Sequence, residues 1–472
     1  MLVAPVGSAG DVHPFIGIGI ALKARGHDVS VVTNPYFGPV VTQAGLRLLP
    51  WGTTDQFDTL TKDPDLWHRE KGARVISAAL RDSMPEMYRI VTDETKRGPL
   101  LVVGHGLAFA ARFAQETLGT PLVTLHLQPA SIHSVYDAPV LHPWLRSVNR
   151  LPVSAKRLLF RIIDLEADRI FGPAANALYV QQGLARVRHI TSRWWHSTRR
   201  VIGLFPPWYA PPQPDWPEHT TVTGFPLFDA DTGDPLSPDL EQFLDTGPPP
   251  VVFLPGSANR QAQRFFSAAA HACQILRCRG ILLTRYPEHL PKTLPEDVRH
   301  VDYVPLGRLL PRAAALVHHG GIGTAAQGLA AGLPQVVMPM AFDQPDNASR
   351  LGRLGVARTV WPHAFRGRSV ATALDTLLSC DTVSARCAAL AEKMRTGDPV
   401  RRTCELIEEV GDTQDMRPSD RPRAGPVAGM PLPAPPARPG ITPTARPSAT
   451  HDPRRLGHAN LHRHDRLAPV QP

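Results

Sequence analysis

A chain of 472 residues, 43% of them hydrophobic, can bury a large core and is too long for one ordinary domain, so two domains are expected. The net charge of +9 is spread thin: from Asp412 onward nine Arg and five Asp carry +4, leaving +5 on the body, with no basic face interleaved with aromatics. That distribution argues against a nucleic-acid partner and leaves weak attraction to an anionic membrane surface as the better reading. No apolar run reaches the ~20 residues of a membrane-spanning helix, and the first residues read as a strand, not a secretion signal. Five cysteines (Cys273, Cys278, Cys380, Cys387, Cys404) include no C-x-x-C pair, so neither a disulfide framework nor a zinc site is indicated and a reduced, cytoplasmic setting fits.

Along the chain, short β-branched runs alternate with amphipathic stretches, the pattern of parallel α/β units. Leu2–Val6 reads as a strand, Pro14–Arg25 as a helix opened by its proline, and Asp28–Thr33 as the next strand. Between the first two lies Gly7-Ser8-Ala9-Gly10-Asp11-Val12-His13-Pro14, whose glycines allow a tight turn. Asp11 there either caps the helix or offers a carboxylate at the mouth of a cleft. His13 is a rival base, because an imidazole near pKa 6.5 removes protons better than an exposed carboxylate near 3.9. Its place just before Pro14 should turn it away from the cleft. Leu100–Val103, a helix near Leu107–Leu118 and Leu122–Leu125 repeat the unit, with His105 at another strand end. Residues 155–185 look helical and suit acceptor-side structure.

From about Phe205 to Pro250 the composition turns to proline, tryptophan and glycine, which marks an interdomain connection. The pattern then restarts with strand Val251–Leu254, helix Asn259–Arg277, strands Ile281–Thr284 and Ala314–Val317, helix Thr324–Ala331 and strand Gln335–Met338. The expected fold is α/β: two doubly wound halves, residues 1–225 and 226–411, facing a cleft at the carboxyl ends of their strands. Residues 412–472, rich in Pro, Arg and Ala, should be disordered. Their histidines (His451, His458, His462, His464) read as part of a solvated tail rather than a metal tract.

The most informative stretch is Leu316-Val317-His318-His319-Gly320-Gly321-Ile322-Gly323-Thr324. A strand runs into a glycine turn and a helix N-terminus, where free backbone N–H groups, the positive helix end and an imidazole aim at one anion. The Gly-Lys-Ser/Thr ending of a Walker loop is missing. One strand later, Phe342-Asp343-Gln344-Pro345-Asp346-Asn347-Ala348 sets a carboxylate beside an amide, which suits vicinal sugar hydroxyls or simply caps the next helix.

His319 through Asp343-Gln344 resembles the donor-binding signature of glycosyltransferase family one, whose members share the two-domain GT-B fold. The resemblance implies that His319 contacts a nucleotide diphosphate, that Gly320, Gly323 and Thr324 form its turn, and that Asp343 and Gln344 hold the donor hexose. Gln327 stands where plant members carry a ribose-binding glutamate, Tyr303 where the base stacks, and Ser257 near the phosphates. Sterol and glycopeptide members carry Gly-Ser-x-Gly-Asp as here, which makes Asp11 the implied catalytic base with Ser8 beside it. His13 and His105 are then acceptor-side candidates. The linker block Leu204–Pro212, Asp215-Trp216-Pro217 and Thr223–Asp229 is similar to that of the rhamnosyltransferases of rhamnolipid synthesis.

The implied activity is inverting hexosyl transfer without a cofactor or required metal, from a nucleotide-sugar donor to a lipid or other apolar acceptor. dTDP-rhamnose is the favoured donor; UDP-glucose with a sterol-like or polyketide acceptor is the alternative. Cysteine usage and the charge distribution point to the cytoplasm, with peripheral association at the inner membrane face. A silent glycosyltransferase-like helper is the reading from another class, disfavoured because Asp11, His319, Asp343 and Gln344 are all present. Trp194, Trp195 and Trp208 would line an apolar pocket or belong to the core.

Overall fold

The computed structural model describes residues 1–229 and 235–412; of the segment expected to be disordered, all but Asp412 lies outside the described residues. Short aliphatic runs form strands covered on both faces, as parallel sheets require. The first sheet contains β1 (Leu2–Ala4), β2 (Ser30–Thr33), β3 (Arg47–Pro50), β4 (Val102–His105), β5 (Leu122–His126), β6 (Arg200–Gly203) and β7 (Thr220–Val222). The second contains β8 (Val251–Leu254), β9 (Gly280–Leu283), β10 (Val298–Val301), β11 (Ala315–His318), β12 (Gln335–Val337) and β13 (Ala357–Thr359). The orders are β3-β2-β1-β4-β5-β6-β7 and β10-β9-β8-β11-β12-β13, and the neighbours pair in parallel. Each order reverses once, between β1 and β4 and between β8 and β11. A crevice opens at such a point, above the carboxyl ends of the strands. The turns carrying Asp11, Ser257 and His319 follow β1, β8 and β11, and His105 ends β4.

Helix α1 (Ala9–Ala24) begins five residues before the predicted Pro14, which sits inside it. Ser8 and Asp11 close the first turn, so a proline expected to open the helix is carried in its interior. Pro14 has no N–H for the Gly10 carbonyl four residues back. Helix α2 (Gly72–Arg97), long and amphipathic, has no counterpart among the predicted elements. Four further helices matter here: α3 (Val153–Ala175), α4 (Ile322–Ala330), α5 (Gln344–Leu354) and α6 (Pro399–Asp412).

Two parts of the predicted layout change. The proline- and tryptophan-rich block is no free linker: β7 extends the first sheet, and Phe205, Tyr209, Ala210 and Phe225 are buried against it. Trp194 and Trp195 are core residues, their indole N–H groups donating to the Tyr179 hydroxyl (3.0 Å) and His196 Nε2 (3.1 Å). Helix α6, assigned by sequence to the second half, returns to pack on α1. Its buried stripe Thr403, Leu406, Ile407 and Val410 has helical spacing, and Arg25–Glu408 (2.6 Å) and Arg200–Glu409 (2.9 Å) flank the contact.

Helix α5 ties the halves together. Arg350 is buried and bonds Asp346 (Nε–Oδ2, 2.7 Å) and, across the interface, Asp137 (Nη1–Oδ2, 2.7 Å); Asp346 Oδ1 accepts the Val140 N–H at 2.9 Å. Burial alone would raise the Asp137 pKa, but Arg350 and Arg353 beside it hold it below the ordinary carboxylate value. Arg350→Met should therefore destabilise the protein by about 3–5 kcal/mol, because buried Asp346 loses its cation and Asp137 keeps only Arg353. Chemical denaturation of the variant against the parent measures this.

Candidate active site

The base turn follows β1. Gly7 has φ +139°, and a Cβ there would overlap Asp11 Oδ2. Asp11 stands in the first turn of α1, where its Oδ2 accepts the Ser8 N–H (2.8 Å) and the Ser8 hydroxyl (3.2 Å). Both hydrogen bonds use one oxygen, which leaves Oδ1 for a ligand. The two readings of Asp11 are thus compatible, since it caps the helix and still presents a carboxylate oxygen. Burial pushes its carboxyl up to about 6, against the two Ser8 hydrogen bonds.

The rival imidazoles lie elsewhere. His13 packs edge-on against Phe228 of the connecting block (5.9 Å). Burial and the nearby Arg285 charge lower it to about 4. The order of basicity expected from unperturbed values is therefore reversed, with Asp11 the stronger base. His105 is buried under Phe15 (6.2 Å), its Nδ1 accepts the Leu107 N–H (3.3 Å), and burial lowers it to about 4.

In the donor half the two adjacent histidines divide their work. His318 ends β11 fully buried; its Nδ1 accepts the Gly320 N–H (3.1 Å), so its Nε2 carries the proton and donates to Gln335 Oε1 (2.9 Å). His319 stands just beyond, against Gly256 and Gly321, where any Cβ would come within 3.0 Å of its ring. Its Nδ1 is buried and makes no hydrogen bond of good geometry, and burial lowers the ring to about 4 against the pull of the Leu254 backbone. An unsatisfied imidazole nitrogen at the head of α4, whose first amides have no helical acceptor, fits an anion. Gly323 and Thr324 lie in that first turn, with Gly323 facing the Gly10 carbonyl of the base turn. Gly320, expected among the donor contacts, instead has its N–H held by His318 and its carbonyl by Asn347 Nδ2 (2.9 Å); its φ of +96° makes it a shaping residue.

Asp343 and Gln344 also separate. Asp343 Oδ2 accepts from Asn347 Nδ2 (2.6 Å), and burial, then the charge of Asp11, pushes its carboxyl up to about 7. Gln344 is only 2% exposed, and its Oε1 is taken by the Met340 (2.8 Å) and Ala341 (3.3 Å) N–H groups, so it braces the turn. Asn347, in the predicted motif but given no role, joins the Gly320 turn to Asp343. Its only sequence signal is its place four residues after Asp343. Phe342 takes φ +58° and meets Trp67 edge-on (5.9 Å), while the Trp67 indole donates to the Ala258 carbonyl at 3.3 Å.

Three donor-side expectations remain. Tyr303 is 41% exposed, with the Arg285 guanidinium 4.8 Å above its ring. Gln327 Nε2 donates to Asp229 Oδ1 (3.2 Å), and Asp229 Oδ2 accepts the Gly307 N–H at 2.5 Å. A carboxylate thus stands beside Gln327 between the Tyr303 turn and α4, supplied by the connecting block and missed by motif spacing. Ser257 is exposed and lines one small cavity together with Ser8, Tyr36, Phe57, Arg260 and Tyr286. The base turn and the donor turns therefore meet in one groove. Among the described residues, no group of three or more His, Cys, Asp or Glu side chains is arranged to hold a metal ion.

Two facing parallel sheets, with a carboxylate turn on one and an anion-binding turn on the other, define a sugar transferase of GT-B architecture. Comparison with known proteins agrees: the model of the erythromycin biosynthesis protein CIII-like C-terminal domain matches residues 281–408. O-mycaminosyltylonolide 6-deoxyallosyltransferase of Streptomyces fradiae is 32% identical over 421 residues, spanning 87% of this chain and 97% of that one. Glycosyltransferase GtfE of Amycolatopsis orientalis is 28% identical over 448 residues, spanning 89% and 100%. The spinosyn rhamnosyltransferase SpnG complexed with thymidine diphosphate shares the fold at a TM-score of 0.59 and 19% identity, over 86% of this chain and 99% of that one. The chain belongs to glycosyltransferase family one and is a hexosyltransferase.

Two substitutions test the geometry. Gly7→Ala should cost about 1–3 kcal/mol through backbone strain and displace Asp11, lowering turnover together with the melting temperature. His319→Ala should weaken nucleotide diphosphate binding by roughly 10- to 100-fold, the loss of one hydrogen bond to a charged group, with the melting temperature held. Titration calorimetry with the nucleotide measures the second.

Proposed function

We propose that the protein transfers a 6-deoxyhexose from a thymidine diphosphate sugar to a hydroxyl of a hydrophobic polyketide-type acceptor, with inversion and without a metal. The observation that carries this reading is the pairing of Asp11 with Asp343 in one groove above both switch points. Two buried carboxylates in one groove do not readily ionise together, and Asp343 has the higher pKa. Near neutral pH, Asp11 is the more fully ionised of the two and so the more available proton acceptor, while Asp343 is the more readily protonated. The acceptor oxygen loses its proton to Asp11 Oδ1 as it attacks the anomeric carbon from the face opposite the diphosphate. The anomeric carbon–oxygen bond breaks, and the charge gathering on the leaving diphosphate meets His319 and the N-terminus of α4.

The similarity to a 6-deoxyallosyltransferase acting on a mycaminosylated macrolide supports a 6-deoxy donor and a polyketide acceptor. Phe342, 37% exposed beside Asp343 and backed by Trp67, offers an apolar neighbour that suits a methyl group at C6. The thymidine diphosphate of the SpnG complex supports the nucleotide. Rhamnose, itself a 6-deoxyhexose, stays among the donors to test, as does the hydroxylated lipid acceptor expected from the sequence.

Asp11→Asn should lower kcat by about 10²–10⁴-fold while donor affinity holds. In the parent, kcat/KM should fall tenfold per pH unit below about 6, because the buried carboxyl must be ionised to accept a proton. The assay is release of nucleotide from dTDP-rhamnose and UDP-glucose, each with a macrolactone, a hydroxy-fatty-acid lipid or no acceptor. Release dependent on macrolactone and unaffected by a chelator is the expected result. Release from UDP-glucose alone among the donors, or binding without release, would overturn the proposal.

A further inference from the structure

The three most exposed large apolar side chains among the described residues lie on one face of one helix. Leu158 (61%), Ile162 (58%) and Leu165 (65%) recur on α3 at i, i+4 and i+7. Arg161, three residues after Leu158 and four before Leu165, shares that face. Arg169, four residues beyond Leu165, extends it, and Arg157 borders it. All three arginines are exposed, and Arg157 and Arg161 have no carboxylate partner among the described residues. The acids of the helix are engaged elsewhere. Asp164 pairs with His189, Asp168 accepts the His189 and Ile190 N–H groups (both 2.9 Å), and Glu166 pairs with Arg74 at 3.3 Å and Arg169 at 3.5 Å. The opposite side of the helix, through Leu159, Phe160 and Ile163, is already packed around an apolar cavity with His133 and Leu145.

An aliphatic residue at each turn, rimmed by arginines whose helix turns its acids aside, is the pattern of a helix that lies on an anionic lipid surface. The apolar side chains enter the acyl boundary while the arginines reach phosphate at its rim. A second copy of the chain is a poorer partner, because a twofold contact through this face would bring Arg161 and Arg169 against their own counterparts. We infer that the Leu158–Ile162–Leu165 face of α3 docks the protein on anionic bilayers. The inference does not depend on which acceptor the groove takes.

The test is flotation of the full chain with phosphatidylcholine vesicles, with and without phosphatidylglycerol. The parent should bind the anionic vesicles at least about tenfold better than the neutral ones, and salt should weaken the binding. The triple variant Leu158→Ser, Ile162→Ser, Leu165→Ser should lose binding with an unchanged melting temperature, because these side chains are exposed. Arg157→Gln with Arg161→Gln should weaken binding to anionic vesicles by about 30-fold, two surface arginines' worth. Three outcomes would overturn the inference: a parent that does not float, a triple variant that floats like the parent, or a concentration-dependent dimer that the triple variant abolishes.

Discussion

The groove is braced by one buried guanidinium held between two carboxylates. Arg350 on α5 binds Asp346 on its own helix and Asp137 on a loop of the opposite half, so the helix carrying Asp343 at its start is anchored to the half carrying Asp11. The same helix supplies Asn347, which bonds both Asp343 and the Gly320 carbonyl, and whose side-chain oxygen accepts from the Tyr209 hydroxyl at 3.4 Å. The Gly320 turn, Asp343 and the first half are thereby held in one frame. Transfer chemistry depends on positioning, and a frame of buried, hydrogen-bonded groups holds that position better than mobile surface side chains do.

Within this frame, burial assigns the chemistry. A carboxylate in water is a poor base near neutrality, and removing Asp11 from water while leaving it one open oxygen makes it a better one. The same burial works against His13 and His105, because desolvation disfavours the charged form of either group and so raises acids and lowers imidazoles. Solvent access thus sets the relative basicity of the carboxylate and the two histidines. Among the donor-side histidines, His318 is used up inside the sheet, and His319 keeps a nitrogen unsatisfied for a ligand.

Much of the architecture was legible. Apolar β-branched runs between turn residues located the strands around both switch points, and the glycines at 7, 320, 321 and 323 marked the turns above them. Legibility failed where a residue's use depends on a distant partner. Gln344 looks like a sugar contact beside Asp343 yet braces the backbone of its own turn. Gly320 looks like a phosphate donor yet spends its N–H on His318. Asp229 lies in a block that reads as linker, and only the fold brings it beside Gln327. Helix α6 follows directly on the second half in sequence, and its apolar stripe finds its cover on α1.

Local chemistry, written in the order of residues, determined that this chain makes two parallel α/β halves. It also determined that a carboxylate turn and a glycine-rich histidine turn follow their strands, because turn geometry, helix ends and hydrophobic period are properties of neighbours in the chain. Tertiary structure decided which carboxylate oxygen stays open, which imidazole keeps its nitrogen free and which helix face is left uncovered. Those outcomes depend on burial and on partners hundreds of residues away, and desolvation is set only when the halves close on one another.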